Sequence, residues 1–150
     1  MTESKQKSFV NLNNARIRGQ LRVMQDIENN KECPFCPEYL RKYHKQKIIR
    51  KGKYWVLTNN QWPYKNTDLH LLAIATYHAE KLSDLQKGSF DELQDHMVWA
   101  EKEFQIITGG IAMRFGDISH NGASVKHLHA HLIVPSINRR ADEKVKFRIG

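Results

Sequence analysis

The 150-residue chain has few of the residues that staple or break up small proteins: two cysteines, four prolines and eight glycines. With one possible disulfide at most, a secreted, disulfide-dense scaffold is set aside. Acidic residues are also in short supply. There are 16 Asp+Glu against 24 Lys+Arg, a net charge of +8 and a pI near 9.6. That balance favours an anionic partner, such as a nucleotide, a polyphosphate or nucleic acid. No apolar run reaches the ~18 residues of a membrane span. The opening MTESKQKSF has no apolar stretch behind its charges to serve as a signal peptide. The expectation is a cytoplasmic chain without membrane association. Its length suits one domain, placed at residues 14–150 behind a polar, flexible segment 1–13.

Hydrophobic periodicity then suggests the elements. Asn13 or Asn14 is a reasonable N-cap for a short helix carrying Ile17, Leu21, Met24 and Ile27 on one face. Tyr54–Asn59 and Leu69–Thr76 are rich in aromatic, aliphatic and β-branched residues, and the loop between them carries the Asn, Pro and Asp that turns use. Phe90, Leu93, Met97, Ala100, Phe104 and Ile107 follow at alternating steps of three and four, which predicts a long helix ended by Gly109-Gly110. Period two returns at Ile111, Met113 and Phe115, again at His127–Val134, and again at Val145, Phe147 and Ile149, the last reading as an edge strand. Strands joined by short turns, with helices set apart from them, predict an α+β fold. Its sheet is mainly antiparallel with about five strands, beside one long helix and a shorter N-terminal one.

The stretch HLHAHLIVP at residues 127–135 carries the chemistry. Side chains alternate along a strand, so His127, His129 and His131 share one face while Leu128, Ala130 and Leu132 face the core. A lone histidine is most often a surface or core-satisfied residue. Three in register each carry a desolvation cost without a packing benefit, which points to a metal site or to a nucleophile with supporting groups. Separately, Cys33 and Cys36 in CPFC have the spacing of half a zinc site, with a reduced thiol pair as the plainer alternative. Trp62 and Tyr64 either stack on a base or pack beside Pro63. Arg139-Arg140 reads by default as a charged loop, and His44, His96 and His120 read as surface residues.

The row from His127 to Ile133 resembles the His-φ-His-φ-His-φ-φ signature of the histidine triad (HIT) nucleotide hydrolases and transferases. NNQWPYKNTDLHLLAIATYH is similar to the family's Asn-x-x-Pro segment, with His70 and His78 at the family's separation, and GASVKHLHAH resembles its Gly-x-Ser/Thr approach to the triad. The likeness covers roughly residues 33–135. It implies a HIT-like fold and a hydrolase that cleaves at the α-phosphate of a nucleoside conjugate, with dinucleoside polyphosphates and nucleoside phosphoramidates as leading substrates. In that scheme His129 is the nucleophile, forming a nucleotidyl-histidine. His131 and His127 support it, and Asn60, His70, Gly122, Ser124 and Arg114 contact substrate. Zinc-bearing relatives further imply a structural Zn²⁺ held by Cys33, Cys36, His78 and His127. The family also implies a homodimer paired through the long helix and a strand. One departure is Ala123, where many members carry Gln. The Gly-Ala-Ser form is similar to the galactose-1-phosphate uridylyltransferase and dinucleotide phosphorylase branches, which carry Gln at the third triad position, whereas this chain keeps His131. Hydrolysis is therefore favoured over nucleotidyl transfer, with a non-catalytic nucleotide or nucleic-acid binding module as the alternative of a different class.

Overall fold

A computed structural model describes residues 8–150, so the first part of the segment expected to be flexible lies outside the described residues. Five strands, β1 (Ile48–Lys51), β2 (Trp55–Asn59), β3 (Thr67–Ala75), β4 (Gly110–Met113) and β5 (His129–Pro135), form one sheet in the order β1-β2-β3-β5-β4. Every neighbouring pair is antiparallel. Four helices accompany it: α1 (Arg18–Asn30), α2 (Leu40–Tyr43), α3 (Ser89–Glu103) and α4 (Ile118–Asn121). The architecture is α+β. Among the described residues no helix is long and apolar enough to cross a membrane.

One sheet face buries Trp55, Leu57, Leu71, Ala73, Ala130 and Leu132 against Leu93, Met97 and Ala100 of α3. Each large side chain removed from water there contributes roughly 1.5–3 kcal/mol. A second cluster forms around Met24 and Ile27 of α1, with Val10 and Tyr43. The carboxylate of Glu92 ties α3 to the β1–β2 turn, accepting the backbone N–H groups of Lys53 and Tyr54 at 2.5 Å each and of Trp55 at 3.0 Å. Gly52 must be glycine for this approach, because a Cβ there would lie 2.2 Å from Glu92 Oε1.

Several boundaries differ from the periodicity reading. The expected strand at 145–149 is not a strand, and the fifth strand is instead β1. α3 stops at Glu103 rather than at Gly109-Gly110. Gln105 takes a left-handed φ of 50°, and the Ile106 N–H→Glu101 and Gln105 N–H→Lys102 bonds close a Schellman motif. Ile107 is consequently 86% exposed, and Phe90 and Phe104 also face outward. Neither Asn13 nor Asn14 caps α1, whose N-cap is the extended residue Ile17. Asn11 caps a separate 3-10 turn at Leu12–Asn14. Residues 8–13 are held in place: Val10 is buried and bridges Val125, and Asn11 N–H donates to the Ser124 carbonyl. His44 and His96 are buried, not surface residues. His44 packs beneath the pocket described next. His96 lies against the β1–β2 turn, where a Gly52 Cβ would also meet it. His120 is exposed as expected.

Candidate active site

His129 and His131 lie on β5, and His127 stands just before it. Cross-strand pairing sets His129 opposite Ile74 and His131 opposite Leu72 on β3. Leu128, Ala130 and Leu132 alternate with them into the core beneath α3. Although the imidazoles share a face, they are 2, 8 and 5% exposed at His127, His129 and His131, because α1, the Cys33–Cys36 knuckle and Tyr64 close over them.

Hydrogen-bond partners fix the tautomers. A carbonyl oxygen only accepts, so the 2.6 Å contact between His129 Nδ1 and the His127 carbonyl puts the proton on Nδ1 and leaves Nε2 with a bare lone pair. His70 Nδ1 accepts the backbone N–H of Tyr64 at 3.0 Å, so its Nε2 carries a proton and donates to His131 Nδ1 at 2.8 Å. That relay leaves His131 with a protonated Nε2, buried and without a partner among the described residues. One ring of the row thus presents a lone pair and its neighbour an N–H. Burial holds His129 down to about 4 despite the bond to the His127 carbonyl, and holds His70 down to about 3, helped by the nearby Arg16 charge. His131 lies well below its ordinary range, first through burial and then through the surrounding imidazoles and arginines.

The row opens into a pocket lined by Val23, Met24 and Ile27 of α1, by Pro34 and Phe35 of the knuckle, and by Asn60, Trp62, Gly122, Ser124 and Arg114. The phosphate-contact residues expected from sequence therefore gather beside His129 and His131. The Asn60 amide lies against His70, 3.4 and 3.2 Å from the two ring nitrogens, and its oxygen accepts the Trp62 N–H. Gly122 adopts φ 77° as the C-cap of α4, and a Cβ there would lie 2.9 Å from the Arg148 carbonyl. Ala123 is buried and contributes no side-chain polar group. Tyr64 stacks on His131 with the rings 17° apart, forming a wall of the site. Arg139 and Arg140 are occupied elsewhere, with Ser136 and with Asp142 and Glu143.

On the other side of His127, single donor atoms of Cys33, Cys36, His78 and His127 lie within 4.8 Å of one another. Tetrahedral zinc, with Zn–S ≈ 2.3 Å and Zn–N ≈ 2.0 Å, sets sulfur and nitrogen ligands about 3.5 Å apart. The observed separations are 3.3 Å for Cys33–His127, 3.4 Å for Cys36–His78 and 3.7 Å for Cys36–His127. The outer nitrogens are engaged as well: His127 Nε2 donates to the Ala75 carbonyl and His78 Nε2 to Glu80, which turns both Nδ1 lone pairs toward the sulfurs. The four residues fit a structural zinc ion. When bound, it would neutralise the thiolates and tie the knuckle to the histidine row.

Several pocket residues had no sequence signal. His44 donates from Nε2 to Thr58 Oγ1 at 2.8 Å, since the Thr58 hydroxyl proton is committed to the Lys47 carbonyl. Phe35 meets His129 edge-on, 5.1 Å between centroids. Phe147 does the same to His131 at 5.3 Å, and Arg16 and Arg148 line the mouth.

An antiparallel sheet that presents three alternating imidazoles beside a Cys₂His₂ cluster defines a histidine triad protein. The family described as scavenger mRNA decapping enzyme C-term binding matches residues 32–146, and the chain belongs to it. Similar solved structures share the fold. A zinc-bound histidine triad family protein from Mycobacterium smegmatis has TM-score 0.55 and 21% identity, over 79% of this chain and 82% of that one. A histidine triad protein from Clostridium difficile has TM-score 0.52 and 22% identity, over 74% and 96%. Plasmodium falciparum diadenosine triphosphate hydrolase has TM-score 0.50 and 23% identity, over 61% and 62%. No match is found among the curated proteins.

Proposed function

We propose that the protein hydrolyses nucleoside conjugates at the α-phosphate through a nucleotidyl-histidine intermediate on His129. The observation that carries this is the bare Nε2 of His129 beside the unpartnered Nε2–H of His131 in one pocket. In the first half-reaction His129 Nε2 bonds to phosphorus as the bond to the leaving group breaks, and the leaving group keeps the electron pair. His131 Nε2–H donates to a phosphoryl oxygen as charge builds there. Ser124 and the backbone near Gly122 serve the same end. Water then attacks phosphorus, the P–N bond breaks with its pair returning to Nε2, and the proton from water is released. His70 and Asn60 hold His131 in its tautomer. His127 positions His129 through its carbonyl and belongs to the zinc cluster.

The test is intact-mass analysis after a short incubation with diadenosine triphosphate and with adenosine phosphoramidate, quenched in alkali. The expected result is a nucleotidyl adduct on the wild type, absent from His129→Ala, which still binds the product nucleotide. Full turnover by His129→Ala would end the proposal. Ala123, which supplies no amide to the leaving group, favours nucleotidyl transfer as the second reading. Orthophosphate or a sugar phosphate added as acceptor then yields a nucleoside diphosphate or nucleotide sugar in place of the monophosphate. The free thiols of Cys33 and Cys36 suit a reducing compartment such as the cytoplasm.

A homodimer completes the reading. β4 is an edge strand, and Ile111 on it together with Phe90, Val98 and Ile107 presents large apolar groups to solvent around one groove. Ile111→Asp should convert a dimer to a monomer in light scattering. A wild type that is already monomeric at high concentration removes this part of the reading.

A further inference from the structure

Three guanidinium groups converge at the mouth of the pocket from separate parts of the chain: Arg16 just before α1, Arg114 just after β4, and Arg148 in the C-terminal segment. Arg16 lies over the Tyr64 ring at 4.5 Å. Arg114 reaches the Tyr64 hydroxyl at 3.3 Å, donates from Nε to the Arg148 carbonyl at 2.7 Å, and lies 3.7 Å from the Phe147 centroid. Among the described residues none of the three forms a salt bridge with a carboxylate. The cost of this proximity is visible at Arg16, held below its usual range first by burial, against the offsetting Tyr64 hydroxyl, and then by the charges of Arg148 and Arg114. Three like charges gathered at a pocket mouth without an anion destabilise the fold locally, which argues for a ligand that supplies the missing negative charge.

Their position says which part of a ligand that is. All three lie on the Tyr64 side of His131, whereas Phe35 and the zinc cluster flank His129 and His127 on the opposite side. A single α-phosphate is served by His129 and His131, which leaves the arginines to the part of the substrate beyond it. Resting on the α-phosphate hydrolase reading, the geometry points to Arg16, Arg114 and Arg148 as a subsite for a polyphosphate leaving group, making nucleoside-capped polyphosphates, rather than phosphoramidates, the substrates of this chain. Arg16 and Arg148 set specificity by grasping the departing phosphates and touch no reacting atom. The bond that breaks joins Pα to the bridging oxygen. The departing polyphosphate keeps the electron pair, and its added negative charge is met by the guanidinium groups.

The experiment compares kcat/KM for diadenosine tetraphosphate and for adenosine phosphoramidate in the wild type, Arg148→Gln, Arg16→Gln and the double variant, with inorganic tripolyphosphate as a competitive probe. A lost charge-assisted contact is worth about tenfold. The expected result is a ratio of the two kcat/KM values that falls about tenfold in each single variant and further in the double one. Tripolyphosphate should inhibit the wild type and lose potency in step. Arg148 is exposed, so its substitution tests the subsite without disturbing the core, and far-UV dichroism checks folding. A ratio that stays constant while both activities fall, or no change in either, overturns the subsite. A wild type that forms the adduct from the phosphoramidate but ignores the tetraphosphate also overturns it and leaves the α-phosphate reading standing. Absence of an adduct from both substrates removes that reading itself.

Discussion

Replacing His44 by glutamine should remove a defined portion of the protein's acid sensitivity. The ring is 7% exposed, its Nε2–H is given to Thr58, and Phe35 packs on it edge-on. Burial lowers it from 6.5 to about 4. A base whose folded-state value is depressed contributes stability that is present above its unfolded value and is lost as pH falls toward the folded one. The window therefore runs from 6.5 down to about 4. At pH 5 the unfolded chain gains about 1.5 pH units of protonation free energy that the folded chain cannot match, close to 2 kcal/mol. Glutamine keeps a donor for Thr58 and has no proton to take up. Urea unfolding at pH 7 and pH 5 should show the wild type losing ~2 kcal/mol more than His44→Gln over that interval, with m-values unchanged. Because both proteins carry the same zinc cluster and the same other histidines, those contributions cancel in the difference. Parallel losses within about 0.5 kcal/mol would refute the reasoning.

Three further outcomes follow from the packing. Cys33→Ser should lower zinc content from about one per chain to a small fraction and reduce Tm; equal zinc in the two proteins, measured by mass spectrometry after dialysis, would remove the metal assignment. Glu92→Gln sets an amide against the three N–H groups of the β1–β2 turn and should cost about 2–3 kcal/mol in urea unfolding, while an unchanged midpoint would show that the turn holds itself. Gln105→Gly relieves the left-handed residue ending α3 and should raise stability by about 0.5–1 kcal/mol; destabilisation would mean that the Gln105 side chain carries weight of its own.

Legibility in the sequence followed the range of each signal. β2 to β5 could be read because alternation is local, and the triad with its lead-in could be read because residues two apart on a strand share a face. β1 was hidden in a basic stretch, since its place depends on pairing with β2 and on Glu92 gripping the turn between them. The alternation of Val145, Phe147 and Ile149 reads as a strand, yet Phe147 packs on His131 and no ladder forms. Lone histidines carry no spacing signal, so burial of His44 and His96 became evident only in three dimensions. Arg16 and Arg148 are near opposite ends of the chain, and no local pattern links them.

The bridge from Val10 to Val125, with its flanking bonds from Asn11 to Ser124 and from Lys126 to Phe9, also bears on the order of events during synthesis. The first described residues to leave the ribosome must wait for a partner made more than a hundred residues later. The wall of the pocket nearest Ser124 is therefore assembled last, after the sheet and α3 have had time to form. Nascent chains halted before that point would carry the nucleophile's strand incomplete and the cleft unclosed.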